Sequence, residues 1–231
     1  MKPGAVIFDI DNTLYSYDDA HAAAWAALTD YASRTFSISP ERFSEWHKRA
    51  SRALEAHTGG PCAAIHDRLI RYQLMMELEG LPLAHAPEMT RIYWSTLLSA
   101  LTPFPGIQEA FGRLKAMGLT LGIGTNMTAD YQFEKLSRLG VLRYLDFFVS
   151  SEEASAEKPD PRFFALCAGK AGLAPEACVF VGDSLTGDVL GALNAGMRAV
   201  WFNPRPEPAE TPPGVCRIHA HAELPDLLST L

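Results

Sequence analysis

The sequence predicts an α/β protein, a doubly wound parallel sheet with an inserted unit of four helices. Three observations carry that expectation. Short apolar runs alternate with helical patterns from about residue 103 onward. One further apolar run, residues 4–10 (GAVIFDI), stands far upstream of them. Between the two, from 17 to about 100, only helical periodicity occurs.

The run at 4–10 is rich in β-branched and aromatic residues and reads as a buried strand. The alanine-rich segment 18–35 starts the helical stretch. Ser39-Pro40 supplies an N-cap followed by proline at the first helical position, after which Phe43, Trp46, Ala50 and Leu54 recur at helical spacing. Ile65, Leu69, Tyr72 and Met76 repeat that spacing, and 87–101 makes a fourth helix.

Past this stretch, a helix at 105–117 ends at Gly118, a C-cap signal. The strand LTLGIGT (119–125) follows, then a helix near 129–139 ending at Gly140 and the short strand DFFVS (146–150). A helix near 160–171, the strand ACVFVGD (177–183), a helix near 185–195 and the strand RAVWFN (198–203) complete the alternation. The Pro-rich 204–213 reads as a solvated loop before a short terminal helix. The simplest assembly is an α/β core of residues 1–16 and 101–231, with the helical unit 17–100 inserted after the first strand. Ligands bind at the carboxyl ends of strands in such sheets, so the insert is expected to lie over the site as a cap.

Composition narrows the class. The 231 residues carry a net charge of -7, from 20 Lys+Arg against 27 Asp+Glu, which disfavours a nucleic-acid partner. With 48% hydrophobic and 20% charged residues the chain is globular rather than disordered. No run of about 18 apolar residues exists, and acids follow the first apolar run directly, so neither a membrane span nor a secretory signal is expected. Cys62, Cys167, Cys178 and Cys216 form no CxxC pair and read as reduced, mostly buried thiols of a cytoplasmic protein.

The predicted strand ends collect Asp9 and Asp11, then Thr125 and Asn126, then Asp183 and Asp188, with Lys158 in the loop SEEASAEKPD. One Asp after a strand more often caps the next helix than binds a ligand, and one loop lysine is more often solvated. The coincidence across several strand ends is what points to a site. Clustered carboxylates repel unless a cation neutralises them, and magnesium, bound through oxygens, is the simplest cation. Lys158 adds a charge suited to phosphate, and Asn126 with the helix start near Thr128 adds donors for an anion. Phosphoryl transfer needs such a set.

The run Asp9-Ile10-Asp11-Asn12-Thr13-Leu14 resembles the first motif, DxDxT, of the haloacid dehalogenase superfamily. Thr125-Asn126 resembles its second motif, Lys158-Pro159 its third, and Gly182-Asp183-Ser184-Leu185-Thr186-Gly187-Asp188 its fourth, GDxxxxD, all in the family order. The resemblance implies a phosphatase acting on a small phosphorylated metabolite of nucleotide or sugar phosphate type, as a monomer or homodimer. In it Asp9 is the nucleophile and Asp11 the general acid and then base, oriented by Thr13. Thr125 and Asn126 hold phosphate oxygens and Lys158 stabilises charge. Magnesium sits on Asp9, the Asp11 carbonyl and Asp183, with Asp188 acting through water or by orienting Lys158. Dehalogenases of the family lack the second Asp of the first motif, so Asp11 disfavours that activity. Many sugar-phosphate phosphatases carry Gly where this chain has Asn12; FDIDNTLY is more like the branch of nucleotidases and acylneuraminate phosphatases.

In the helical insert, Trp46 and Tyr72 lie on apolar stripes and read as core. Tyr15, Ser16 and Tyr17 follow the first motif directly, where they can reach substrate or gate access. Arg42, Arg49 and Arg52 can clamp a second anionic group, although such charges usually form a solvated face. Gly122-Ile123-Gly124 lies inside a strand and is no dinucleotide site, and His219-Ala220-His221 reads as surface. A phosphomutase of the same family and a non-catalytic binding domain are the rival readings.

Overall fold

In the computed structural model, which describes residues 2–205 and 210–230, four apolar residues with no exposed surface form β1 (Ala5–Phe8). A strand apolar on both sides needs cover on both faces of a parallel sheet, and β1 lies in the middle of one. It pairs on one side with β2 (Thr120–Thr125) and on the other with β4 (Cys178–Gly182). β3 (Phe147–Ser150) pairs with β2, β5 (Arg198–Phe202) with β4, and β6 (Cys216–Ile218) with β5. The order is β3-β2-β1-β4-β5-β6 and every pair is parallel.

Strand residues alternate between the faces, as a period of two requires. Ala5 and Ile7 share one apolar cluster with Phe180, Trp201 and the helix residues Phe163, Phe164 and Cys167. Phe8 points the other way and stacks on Phe111 at 4.5 Å. Helices α8 (Pro161–Ala171) and α5 (Ile107–Ala116) supply these two covers. α6 (Ala129–Leu139), the short α7 (Ser151–Ala154) and α9 (Gly191–Asn194), and α10 (Leu224–Thr230) complete the α/β unit, residues 1–16 with 102–231.

Residues 17–101 form a second compact unit. It contains α1 (Tyr17–Phe36), α2 (Pro40–Thr58), α3 (Arg68–Glu79) and α4 (His85–Ala100). Ser39 caps α2 by accepting from the Arg42 N–H, and Phe43, Trp46, Ala50 and Leu54 are its buried stripe. Tyr72 is fully buried on α3. Arg42, Arg49 and Arg52 are exposed, with Arg42 paired to Glu45 and Arg49 to Glu79.

Four details differ from the periodicity reading. Ile65 lies in a separate 3-10 turn, because Asp67 accepts from the Ile70 N–H and starts α3 there; Leu69 is consequently exposed. The segment near 185–195 opens as a π-helix, Leu185–Leu190, before α9. Beyond the Pro-rich segment, of which 206–209 lie outside the described residues, Cys216–Ile218 adds a sixth strand too short to show any period. His221 is fully buried rather than on the surface, stacked 4.4 Å from Phe202. All four cysteines are free, with Cys167 and Cys178 buried.

Candidate active site

The carboxyl ends of β1, β2 and β4 bring most of the expected residues together. Lys158 is the hub: its Nζ donates to Asp9 Oδ1 at 2.5 Å, to Asp188 Oδ1 at 2.7 Å and to the Gly124 carbonyl at 3.2 Å. Asn126 fixes the backbone behind it, its Oδ1 accepting from the Lys158 N–H at 2.9 Å. Oxygens of Asp9, Asp183 and Asp188 lie within 4.8 Å of one another. Asp188 reaches the group because the π-helix follows β4 directly, and its Oδ2 accepts from the Ser184 N–H. Gly182 is needed for that approach, since a Cβ there would come within 2.3 Å of Asp188 Oδ2.

Thr13 departs from the expected task of orienting Asp11. It is fully buried, its hydroxyl lies 3.3 Å from Asp9 Oδ2, and it accepts from the Asp183 N–H at 3.1 Å. Asp11 is held by other residues. Lys135 Nζ donates to its Oδ1 at 2.7 Å, the Tyr15 hydroxyl to the same oxygen at 2.5 Å, and Gln132 Nε2 to Oδ2 at 3.4 Å. Gln132 also donates to Thr125 Oγ1 at 2.7 Å. Tyr15 is therefore buried against Asp11. Asn12, next after Asp11, has φ 59°, a left-handed conformation that Gly and Asn adopt more readily than other residues.

Two carboxyls two residues apart thus have opposite electrostatics. Burial pushes Asp9 up to about 8 against the pull of Lys158, and Asp188, Asp183 and Asp11 add to the rise. Asp183 is pushed up to about 7 by burial and by Asp188. Burial acts upward on Asp11 as well, but the Lys135 ammonium and the bonds from Lys135, Tyr15 and Gln132 outweigh it and hold Asp11 below its ordinary value. Lys158 is raised despite burial, because Asp188 and Asp9 flank it.

The donor set fits a hard divalent cation. Asp9, Asp183 and Asp188 with Lys158 carry a formal charge of −2 when all are ionised, and the three carboxylates are oxygen ligands close enough to share one ion.

Lys135, Gln132 and His221 are the polar residues that motif reading missed. Gln132 and Lys135 fall with Leu136 and Leu139 on the buried face of α6, the i, i+3, i+4, i+7 stripe. A lysine and a glutamine on an apolar stripe are the signal that was present. His221 Nε2 lies 2.7 Å from the Thr13 carbonyl, an acceptor, so that nitrogen carries the proton. Burial lowers the imidazole to about 4, which keeps it neutral at pH 7. His221→Phe keeps the ring stack but strands that carbonyl. Urea unfolding is expected to show a loss of about 1–2 kcal/mol, and an unchanged midpoint would show that the bond contributes nothing.

The sequence profile of the haloacid dehalogenase-like hydrolases matches residues 3–196. Among the curated relatives that cover most of the chain are two phosphatases. One is a ribulose-1,5-bisphosphate 5-phosphatase of Halopiger xanaduensis, 34% identical, covering 88% of this chain and 86% of the relative. The other is a glyceraldehyde 3-phosphate phosphatase of Methanopyrus kandleri, 32% identical, covering 85% and 82%. Among solved structures, a 2-haloacid dehalogenase of Pseudomonas syringae pv. Tomato DC3000 superposes with a TM-score of 0.75 at 29% identity, over 99% of each chain.

Proposed function

From the fact that this chain belongs to the haloacid dehalogenase-like hydrolases, we propose a magnesium-dependent phosphatase that works through an aspartyl-phosphate on Asp9. The protein is a phosphomonoester hydrolase, as its curated relatives are. One observation carries the finer reading. Asp9 sits on Lys158 beside two further carboxylates, while Asp11 is held by a separate set of donors, Lys135, Tyr15 and Gln132. Two carboxylates with separate partners can take separate roles, one as nucleophile beside the cation site and one as proton carrier.

An Asp9 carboxylate oxygen attacks phosphorus and the bond from phosphorus to the leaving alcohol breaks; Asp11, ionised in the free site, takes a proton from the bound phosphate monoanion and passes it to that alcohol. Asp11, now ionised, takes a proton from water as the water attacks phosphorus; the bond to Asp9 breaks and phosphate leaves. Lys158 stabilises charge on nucleophile and phosphoryl group, and the Thr125–Asn126 turn offers donors to the phosphoryl oxygens. Asp9, Asp183 and the Asp11 carbonyl would hold magnesium, with Asp188 beside them; the ion supplies a positive charge for the phosphoryl oxygens. The presence of Asp11 argues against dehalogenation, where a halide leaves without a proton. The helical unit is inserted between Ser16 and Thr102, directly after the first motif. Sugar phosphates of the kind handled by the relatives, ribulose 1,5-bisphosphate and glyceraldehyde 3-phosphate, head the substrate panel.

Hydrolysis of p-nitrophenyl phosphate and of that panel, with magnesium and with EDTA, tests the reading. Turnover that EDTA does not touch would overturn the metal, and a folded protein silent on every phosphate would overturn the phosphatase.

The same pKa shifts set a pH dependence for the ion. Carboxyls raised from their ordinary value near 3.8 to about 8 and about 7 keep protons in the metal-free fold, so its stability falls as pH rises from about 4 to about 8. Magnesium must displace those protons at lower pH. Thermal unfolding is expected to show a larger stabilisation by magnesium at about pH 8.5 than at about pH 6, and none in Asp183→Asn. Equal stabilisation at both pH values would contradict the proton count.

A further inference from the structure

A buried glutamine links two groups of the reaction and leaves one of its own atoms idle. Gln132 lies on α6 with no exposed surface. Its carboxamide has two hydrogens to give and one oxygen to accept. Nε2 donates to Thr125 Oγ1 at 2.7 Å and to Asp11 Oδ2 at 3.4 Å, while Oε1 is buried without a hydrogen-bond partner. An unsatisfied buried acceptor is costly, so this orientation of the amide needs a reason.

Support of Asp11 is only part of that reason. The carboxylate already accepts from Lys135 at 2.7 Å and from Tyr15 at 2.5 Å, and Gln132 is the most distant of its three donors. The short bond of Gln132 goes to Thr125, which is buried at the end of β2. A threonine hydroxyl has one hydrogen and two lone pairs, and Gln132 fills one of the lone pairs. The hydrogen meets the Asn126 carbonyl at 3.4 Å, well beyond an ordinary O–H···O bond. Turned over, the amide would give Oε1 a partner by accepting that hydrogen. The same oxygen would then face Asp11 Oδ2, acceptor against acceptor. Asp11 therefore fixes the orientation of Gln132, and Gln132 leaves the Thr125 hydrogen uncommitted.

We propose that Gln132 is a positioning residue for phosphoryl binding: by donating to Thr125 Oγ1 it leaves the hydrogen of that hydroxyl to be given to a phosphoryl oxygen of the substrate. Asp11, Thr125 and Gln132 all belong to the α/β unit, so the device is complete within it. With an apolar side chain at 132 the hydroxyl rotates and its hydrogen has no set direction. The inference rests on the phosphatase reading and deepens it, by naming the residue that makes Thr125 a donor.

A double-mutant cycle between Gln132→Met and Thr125→Val tests it. Rates are measured on an alkyl phosphate and on p-nitrophenyl phosphate, together with the inhibition constant of inorganic phosphate. Gln132→Met alone is expected to lower kcat/KM by about tenfold on both substrates alike and to raise the phosphate inhibition constant by about the same factor. Beside Thr125→Val, where no hydroxyl remains to be directed, the same substitution is expected to cost less than about threefold. Beside Thr125→Ser, which keeps the hydroxyl, it is expected to cost the full factor of about ten. Should Gln132→Met fail to fold, Gln132→Leu, which continues the stripe of Leu136 and Leu139, takes its place in the cycle. A loss confined to the alkyl phosphate would mean that Gln132 acts through the proton carrier Asp11, and would overturn the proposal. An unchanged phosphate inhibition constant, or an equal loss with and without the Thr125 hydroxyl, would overturn it too. With the wild type turning over phosphates normally, those failures belong to this inference alone. A wild type silent on every phosphate removes the phosphatase reading and this one with it.

Discussion

Asp9→Asn is expected to lower kcat on every phosphate by about 10⁴-fold or more while leaving the thermal midpoint unchanged or higher. The loss is chemical, because an amide is no nucleophile toward phosphorus and nothing else at the site replaces it. The gain in stability has a separate cause. Asp9 is a buried carboxyl pushed up to about 8 by burial and crowding, so ionising it at neutral pH costs the fold free energy. Asparagine keeps the shape, and its carbonyl oxygen still accepts from Lys158, which also retains Asp188. Steady-state rates and a thermal melt on the same preparation separate the two effects. Activity within about tenfold of wild type would remove Asp9 from the reaction.

Lys135→Met is expected to act on one class of substrate far more than on another. Lys135 has no exposed surface and its ammonium lies 2.7 Å from Asp11. Without it Asp11 loses the contact that fixes its position, leaving Tyr15 and Gln132. An alkoxide leaving group needs the proton that Asp11 supplies, and a nitrophenolate does not. The kcat/KM for an alkyl phosphate is therefore expected to fall by about 10²–10³, and that for p-nitrophenyl phosphate by less than about tenfold. Asp11→Asn provides the reference and is expected to show the same split. Equal losses on both substrates in Lys135→Met, beside a clear split in Asp11→Asn, would reduce Lys135 to a structural partner. Breaking a buried ion pair costs about 3–5 kcal/mol, and the part-exposed Asp11 puts this one at or below the lower end.

The sites of Asp9, Asp183 and Lys158 were legible because strand ends in a parallel sheet are a geometric rule, and each acid follows a short apolar run. What escaped was tertiary. The partners of Asp11 come from the buried stripe of α6, where the polar residues Gln132 and Lys135 interrupt a pattern read only for its apolar members. Thr13 could be placed beside the motif acids but not assigned between them, since its hydroxyl turns to Asp9 and the Asp183 N–H through packing alone. β6 has three residues and no measurable period, and His221 is buried by aromatic neighbours, Phe104 and Phe202, that are distant in sequence. Ile65 and Leu69 failed for a local reason: a capping aspartate at 67 overrode the helical spacing.

The position of β1 has a consequence for how the molecule is made. Its four residues lie at the centre of the sheet, yet they are among the first to leave the ribosome. Ala5 finds its partners only when Thr120 and then Cys178 have been synthesised. At about 5–20 residues per second the nascent chain carries an unpaired apolar strand for on the order of ten to thirty seconds. The helices of residues 17–101, whose contacts are local, can collect during that delay and bring the two ends of the interruption closer together. Chains released before β4 is complete would lack Asp183 and Asp188 and expose β1 as an open edge, so premature termination should yield aggregation-prone fragments rather than slow enzymes.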